Sequence, residues 1–383
     1  MSDTQKHTKP NVPNLRFPGF EGEWEKRKIR DFTRVVAGAT PSTGNKSYWG
    51  GDIRWMNSGE LNLKRVYDVQ GRITREGYEK TSTKMIPLYS VLIGLAGQGK
   101  TRGTAAMNYV ELCTNQSIAS ILPSQDYYPE FLYQNIESRY KELRDISSGD
   151  GGRGGLNLQM INNLDIPYCS LTEQKKIGNF LYLLDQRITI QSKLIEKYES
   201  LIKALRHHLF STLEPVKEVS FADVLSYEQP TKYIVSDTEY SDNKDLTPVL
   251  TANKAFILGY TEETNGVYDK GPCIILDDFT LDSKIVDFPF KVKSSAIKLL
   301  SAKTSVNLRY IYEYLMFLDL NTEEHKRHYI AEIEPMTIEL PDEGTIQSIA
   351  GLFDRMDQRR KGHEMDLKLL KSQKDYLLRA IFI

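Results

Sequence analysis

Cysteine is nearly absent from the 383 residues: Cys113, Cys169 and Cys273 are odd in number and far apart. With no Cys-x-x-Cys pair and no histidine at ligand spacing, they form neither a disulfide framework nor a zinc site, and buried free thiols are expected. Long apolar runs are missing as well. None approaches the roughly 20 residues that a helix needs to span a bilayer, and no stretch resembles a signal peptide, so a cytoplasmic chain without membrane association is expected. Charge of one sign is also lacking. The net charge of −1 means that a polyanionic partner would have to be met by local basic groups. Catalytic signatures are scarce too: there is no His-Glu-x-x-His, no Asn-Pro-Pro-aromatic or Asp-Pro-Pro-Tyr tetrapeptide, and no convincing glycine motif for a methyl donor. The expectation is a chain with no catalytic residue, no metal site and no cofactor of its own. A charged fraction of 26% beside 40% hydrophobic residues is ordinary for a globular protein with room for two or three domains.

What is present is a repeat. Over residues 174–213, Ile177, Leu181, Leu184, Ile188, Ile195, Tyr198, Ile202, Leu205 and Leu209 alternate in steps of four and three, with Gln191 the single polar member. That is a coiled-coil seam. The end of the chain returns the pattern without a gap at an offset of 172 (184 to 356): Leu184-Asp185-Gln186-Arg187 becomes Met356-Asp357-Gln358-Arg359, and Leu209-Phe210 becomes Ile381-Phe382. Arg360, His363 and Lys374 make the second seam more polar, so it suits its sibling in the same chain better than a separate partner. Leu184, Ile188, Gln191 and Ile195 are expected to form the pair's seam with Met356, His363 and Leu367. Gln191 and His363, equivalent by the offset, are expected near its middle, where a buried polar contact fixes register.

The fold class predicted is α+β: two strand-rich domains separated by two long antiparallel helices, a pseudo-twofold tandem repeat. The boundaries read as a disordered tail over 1–14, a first globule over 15–170, a helix over 171–214, a second globule over 215–341 and a helix over 342–383. Phe221-Ala222-Asp223-Val224 echoes Ile29-Arg30-Asp31-Phe32 at an offset of 192 (29 to 221), which makes the second globule about 20 residues shorter, since 192 minus 172 is 20. Short β-like runs without intervening amphipathic helices disfavour a parallel α/β sheet. Helices are predicted after Pro129 and from about Asn307 to Phe317.

Several motifs carry chemistry. Thr40-Pro41-Ser42-Thr43-Gly44-Asn45 is a turn cluster leading into Tyr48-Trp49-Gly50-Gly51-Asp52-Ile53-Arg54-Trp55, and such loops serve as core anchors or read bases and phosphates. Gly94-Leu95-Ala96-Gly97-Gln98-Gly99-Lys100-Thr101 satisfies the phosphate-loop pattern. A phosphate loop requires a helix beginning at the lysine, whereas Gly103 interrupts it, so presentation of Gln98, Lys100 and Arg102 to a duplex is the better reading. Asp277 and Asp278 could form a metal or nuclease site only with a third carboxylate and a lysine. His325-x-x-His328 is expected to be exposed or DNA-facing. A phosphate-loop ATPase and a structural coiled-coil adaptor are the alternatives to DNA reading.

These residues resemble the specificity subunits of type I restriction-modification enzymes. Thr40-Pro41-Ser42 through Trp55 looks like the opening of their target-recognition domains, and Leu95 to Thr104 with Thr114-Asn115-Gln116 looks like later parts. Pro167, Glu173-Gln174, Ile177 and Leu184-Asp185-Gln186 resemble the start of the family's central helix. Pro248-Val249-Leu250-Thr251-Ala252 and Asp277-Asp278-Phe279-Thr280 look like motifs of a second recognition type. The resemblance implies a non-catalytic, double-stranded-DNA-reading subunit whose two recognition domains each read half of a bipartite site. It also implies assembly with two methyltransferase subunits and two restriction subunits, which would carry S-adenosylmethionine, ATP and Mg2+. The candidate DNA-facing residues are Thr40, Ser42, Thr43, Lys46, Tyr48, Trp49, Gln98, Lys100, Arg102 and Arg153 in the first domain. In the second they are Thr251, Asn253, Lys254, Thr280, Lys291, Lys293 and Arg327.

The helices predict a ruler. From Ile177 to Leu209 is 32 steps (209 minus 177), or about 48 Å at roughly 1.5 Å per residue. Inserting one heptad after Ser192 and one after Glu364 keeps the seam in phase and adds about 10 Å, or about three base pairs. Mapping of methylated adenines should then return both half-sequences separated by about three more unspecified positions; an active enzyme with the original spacing would show that the helices do not set the distance.

Overall fold

The computed structural model describes residues 11–97, 101–147, 154–253, 255–303, 306–322, 324 and 326–382. The chain divides into two compact units, Met1–Gln191 with Asp366–Ile383, and Ser192–Met365. The division falls inside the long helices, so each unit holds one strand-rich module and part of each helix.

In the first unit, an opening strand Glu25–Lys28 pairs antiparallel with a closing strand Asp165–Tyr168. Between them runs a five-stranded sheet in the order Val35–Ala37, Ile118–Ile121, Val91–Gly94, Ala105–Asn108, Arg65–Val66. All its pairs are antiparallel except the last. The central strands are buried along their whole length, and alternate residues serve opposite faces. Val91, Ile93, Ala105 and Met107 pack with Leu132, Tyr133 and Ile136 of the helix Pro129–Ser138. Leu92, Ala106 and Ile118 pack with Met56, Leu61 and Leu112 on the other face. A second, four-stranded sheet includes Trp49–Met56 and Leu112–Thr114, which run parallel.

The second unit repeats this plan. Lys217–Ser220 pairs antiparallel with Thr337–Leu340. An antiparallel sheet runs Leu225–Glu228, Ile297–Ala302, Cys273–Asp277, Ser283–Val286, and the helix Leu308–Phe317 covers it through Tyr310, Ile311 and Tyr314. Thr247–Leu250 and Lys291–Val292 again form a parallel pair beside the main sheet. Glu25 to Lys217 is 192 positions and Asp165 to Thr337 is 172, so the shorter second module read from the sequence is seen in its strands. Both modules open with a one-turn helix, Ile29–Phe32 and Phe221–Val224, whose third residue, Asp31 or Asp223, accepts a backbone N–H at the preceding cap.

The long helices are Leu171–Ser211 and Glu343–Ile381, and their starts differ by 172. Ser170 caps the first through the Glu173 N–H and Asp342 the second through the Thr345 N–H. In the first unit they pack antiparallel, Ile177, Leu181 and Leu184 against Leu377, Leu378 and Ile381 with Ile188 alongside. In the second unit Ile202 and Phe210 pack with Ile346, Ile349, Phe353 and Met356. Between 358 and 376 only residues 360, 363, 367, 370 and 374 are less than fully exposed, in steps of three and four. The polar residues expected at the seam have partners. Gln191 donates to Asp366 at 3.3 Å, the His363 ring lies 5.3 Å from that of Tyr198, Arg360 pairs with Asp357 and Glu364, and Lys374 meets Asp185 at 2.6 Å. Ile195 and Leu367 are half-buried.

The three cysteines are free and buried, and burial raises the thiol pKa of Cys113 and Cys273 to about 12. Of the tail expected over 1–14, residues 1–10 lie outside the described residues. Asn11 accepts the Trp24 N–H at 2.8 Å, so ordered chain begins before Leu15.

Phe353 is fully buried where the second helix meets its module. Phe353→Ala should lower stability by about 3–5 kcal/mol in urea titrations, and Phe353→Leu by clearly less.

Candidate nucleic-acid interface

Strand register decides which loops gather. In the first module Ala119 lies opposite Ala37, and Ile118 opposite Gly94. The segments that follow Ala37, follow Gly94 and precede Ile118 therefore leave the same end of the sheet. The first turns sharply at Gly38, where an added Cβ would sit 1.9 Å from the Thr114 carbonyl oxygen. It then presents Thr40, Ser42, Thr43 and Lys46 to solvent. Thr40 and Gln116 are joined side chain to side chain at 2.5 Å, which ties two of these loops together. Gln116 is absent from the candidates drawn from the sequence, although it lies in the Thr114-Asn115-Gln116 triplet noted there.

The two tryptophans behind this turn are anchors. Trp49 donates its indole N–H to the Ser42 carbonyl at 3.1 Å, Trp55 donates to the Ala39 carbonyl at 3.0 Å, and their rings meet edge to face at 5.0 Å. Tyr48 is half-buried against Gly77. Trp49 and Tyr48 thus fix the shape of the turn that carries Ser42, Thr43 and Lys46.

The strands on either side of the glycine-rich stretch, Val91–Gly94 and Ala105–Asn108, pair antiparallel. Gly103, in the left-handed region at φ +79°, donates to the Gly94 carbonyl at 2.9 Å, and the chain enters the strand Ala105–Asn108 at once. Among the described residues no helix follows, so none offers its N-terminus to phosphates there, and the ATPase alternative loses its structural basis. Gln98 and Lys100 lie outside the described residues, as do Arg153, Lys254 and His325. Arg102 is half-buried and donates to the Gly154 carbonyl, while Leu156 donates to the Leu95 carbonyl at 2.9 Å. The segment after Arg153 therefore returns to the same sheet end. On the opening strand, Arg27 pairs with Glu25 and Lys28 with Asp165, within the same module.

In the second module the turn between Cys273–Asp277 and Ser283–Val286 takes the place of the glycine-rich connection. Asp277 accepts the backbone N–H groups of Phe279 and Thr280 at 2.9 and 3.1 Å. Asp278 accepts those of His328 and Tyr329 at 3.0 and 2.7 Å. Its other oxygen faces Lys298 at 3.2 Å, and both side chains of that pair are almost fully buried. The carboxylates pin the turn in place, which removes the nuclease reading considered for them. Thr280 is left exposed at its tip.

Lys293 is exposed, and its N–H donates to the Leu250 carbonyl, next to the turn carrying Thr251 and Asn253. Exposed Arg327 precedes His328, whose N–H holds Asp278. The structure thus brings Thr251, Asn253, Thr280, Lys293 and Arg327 to one sheet end. Two expectations are corrected. Lys291 is 3% exposed, with its ammonium on Glu263 at 2.8 Å and the Asn265 carbonyl at 2.6 Å, because its side chain leaves the strand toward the module interior. His328 is 2% exposed, with Nδ1 at 2.8 Å from Glu332 and Nε2 at 3.0 Å from Thr322. The hydrogen bond to Glu332 raises its pKa above the usual imidazole value.

Residues 21–200 match the family model described as the type I restriction modification DNA specificity domain. The chain is similar to the specificity subunits of type I restriction-modification systems. It is 44% identical over 132 residues to the EcoR124I/EcoR124II specificity subunit of Escherichia coli, covering 33% of this chain and 32% of that one. It is 29% identical over 283 residues to the MjaIX specificity subunit of Methanocaldococcus jannaschii, covering 70% and 64%. The chain thus spans between about a third and just under two thirds of the length of these curated relatives. The fold matches the crystal structure of a type I system S subunit from M. genitalium with a TM-score of 0.68 at 16% identity, over 97% of this chain and 99% of that one. Among the described residues no helix is long and apolar enough to cross a membrane.

Proposed function

We propose that this chain is the sequence-specific DNA-binding subunit of a cytoplasmic type I restriction-modification complex, each module reading one half of a bipartite double-stranded site. The observation that carries the reading is the convergence, in both modules, of loops rich in hydroxyl, amide and basic side chains at one end of a topologically repeated sheet. Those groups suit hydrogen bonding to base edges and phosphates. Catalysis belongs to partners: two methyltransferase subunits binding S-adenosylmethionine and directed to adenines in both half-sites, and two restriction subunits using ATP and Mg2+. The names of the E. coli and M. jannaschii relatives, each a specificity subunit of a type I restriction enzyme, support this division of labour.

Two lysines separated by one residue test it. Lys293→Ala, assayed with the methyltransferase subunits, should weaken binding across sequences and reduce the slope of log K against log salt by about 1, with the melting temperature unchanged. Lys291→Ala should instead lower the melting temperature and leave the slope of the folded protein unaltered. An unchanged slope for a Lys293→Ala, Arg327→Ala double variant would remove this sheet end from the DNA. Mapping methylated adenines in a host genome carrying the complex would give the target itself.

A further inference from the structure

The aspartate repeated in register on the two long helices, Asp185 and Asp357, meets different chemistry in the two units. In the first, Asp185 accepts from Arg65 at 2.8 Å and from Gln134 at 2.7 Å, and pairs with Lys374 at 2.6 Å. Arg65, on the edge strand of the sheet, also grips Glu130 through two hydrogen bonds of 2.6 and 2.8 Å. Arg65, Glu130, Asp185 and Lys374 are each 15% exposed or less, two cations against two anions. The network ties the module's sheet and its helix Pro129–Ser138 to both long helices.

In the second unit the equivalent helix starts 179 positions later (129 to 308), as does the strand Ile118–Ile121 relative to Ile297–Ala302 (118 to 297). Arg309 therefore stands for Glu130 and Glu313 for Gln134. Glu313 is fully buried and is held by Arg206 of the first long helix at 2.7 Å and by Arg309 at 2.9 Å. Arg309 lies 3.7 Å from Asp357, which Arg360 and Lys361 also hold. By the offset of 172, the counterpart of Arg206 is Leu378 (206 to 378), which is buried in an apolar cluster with Phe131 and Leu377. The counterpart of Lys374 is Ile202 (374 to 202).

We propose that these joints key each recognition module to its own position on the helix pair. The second module brings a buried carboxylate, Glu313, that needs the arginine present at 206. At the first position it would meet Leu378 and keep only Arg309, which travels with the module, and a fully buried carboxylate that loses one of its two arginines to an apolar side chain is destabilised. The first module brings the Gln134 amide, which at the second position would leave Arg206 without an acid. Asp185 and Asp357 are shared by both positions and hold either module; Arg206 against Leu378 discriminates between them. Exchange of a module for another of the same position is compatible with the helices, and exchange across positions is not. This inference rests on reading the modules as recognition domains, but its first readout does not.

The test is a full chain in which residues 217–340 also replace residues 25–168, so that the second module occupies both positions, made with and without Leu378→Arg and co-expressed with the methyltransferase subunits. Without the substitution the chimera should melt at least several degrees below the native chain. With it the chimera should recover most of that loss, while Leu378→Arg in the native chain should lower the melting temperature. Equal stability of the chimera with and without the substitution would overturn the proposal. In place, Arg206→Leu should lower the native melting temperature and Glu313→Gln added to it should restore the loss; failure of that rescue also overturns the key, even where a chimera does not fold. Methylation by the rescued chimera of a site with one half-sequence present twice supports both the key and the DNA-reading function. Recovered stability without such methylation keeps the key and counts against the reading.

Discussion

The pairing of each module's opening strand with its closing strand is the constraint on which the rest of the structure depends. Glu25–Lys28 lies against Asp165–Tyr168, and Lys217–Ser220 against Thr337–Leu340. In both modules the chain leaves the closing strand and, two residues on, reaches the helix cap, Ser170 or Asp342. A long helix therefore starts from a fixed ladder of backbone hydrogen bonds whatever lies between the two strands. That is why the intervening segment can be 20 residues shorter in the second module (192 minus 172) while the helices keep an uninterrupted register.

Within that frame the sheet ends do the presenting and the buried polar groups do the holding. The first module shapes its turn with two tryptophans and a glycine against Thr114. The second uses two aspartates and a buried lysine for the hairpin turn that stands where the first has its glycine-rich connection. The supports differ in chemistry and agree in effect. Each leaves small polar side chains and scattered cations exposed on a backbone that needs little further ordering, and preorganisation of that kind lowers the entropy lost on binding. A chain with a net charge of −1 can serve a polyanion in this way because its basic groups are placed locally.

Much of the fold was legible in the sequence because helices and repeats announce themselves by period. The seam from Ile177 to Leu209, its return at 172, the offset of 192 at the module start and the helices after Pro129 and Asn307 all depend on spacings within a few turns or on direct repetition. The candidate site was less legible because its outcome depends on partners distant in sequence. Lys291 and Lys293 are indistinguishable as residues, yet one is consumed by Glu263, 28 positions earlier (291 minus 263), and the other faces solvent. Asp278 reads as a possible ligand until Lys298 and the amides of His328 and Tyr329 surround it. Trp49 reads equally as a core anchor or a DNA-facing group, and the hydrogen bond from its N–H to the Ser42 carbonyl is not visible in the sequence. No periodicity encodes such pairings, and only the strand register brings them together.

The division of the chain into units also has a temporal meaning. The second unit, Ser192–Met365, is one continuous stretch, whereas the first is assembled from Met1–Gln191 and the last residues, Asp366–Ile383. During synthesis domains fold as their sequence becomes available, ordinarily from the N-terminus onward. Here that order is reversed for the finished product. Ile177, Leu181 and Leu184 must wait for Leu377, Leu378 and Ile381, so the unit that begins first on the ribosome is the one completed last. A prematurely stopped chain would carry an intact second unit beside an open first one, its helix seam uncovered.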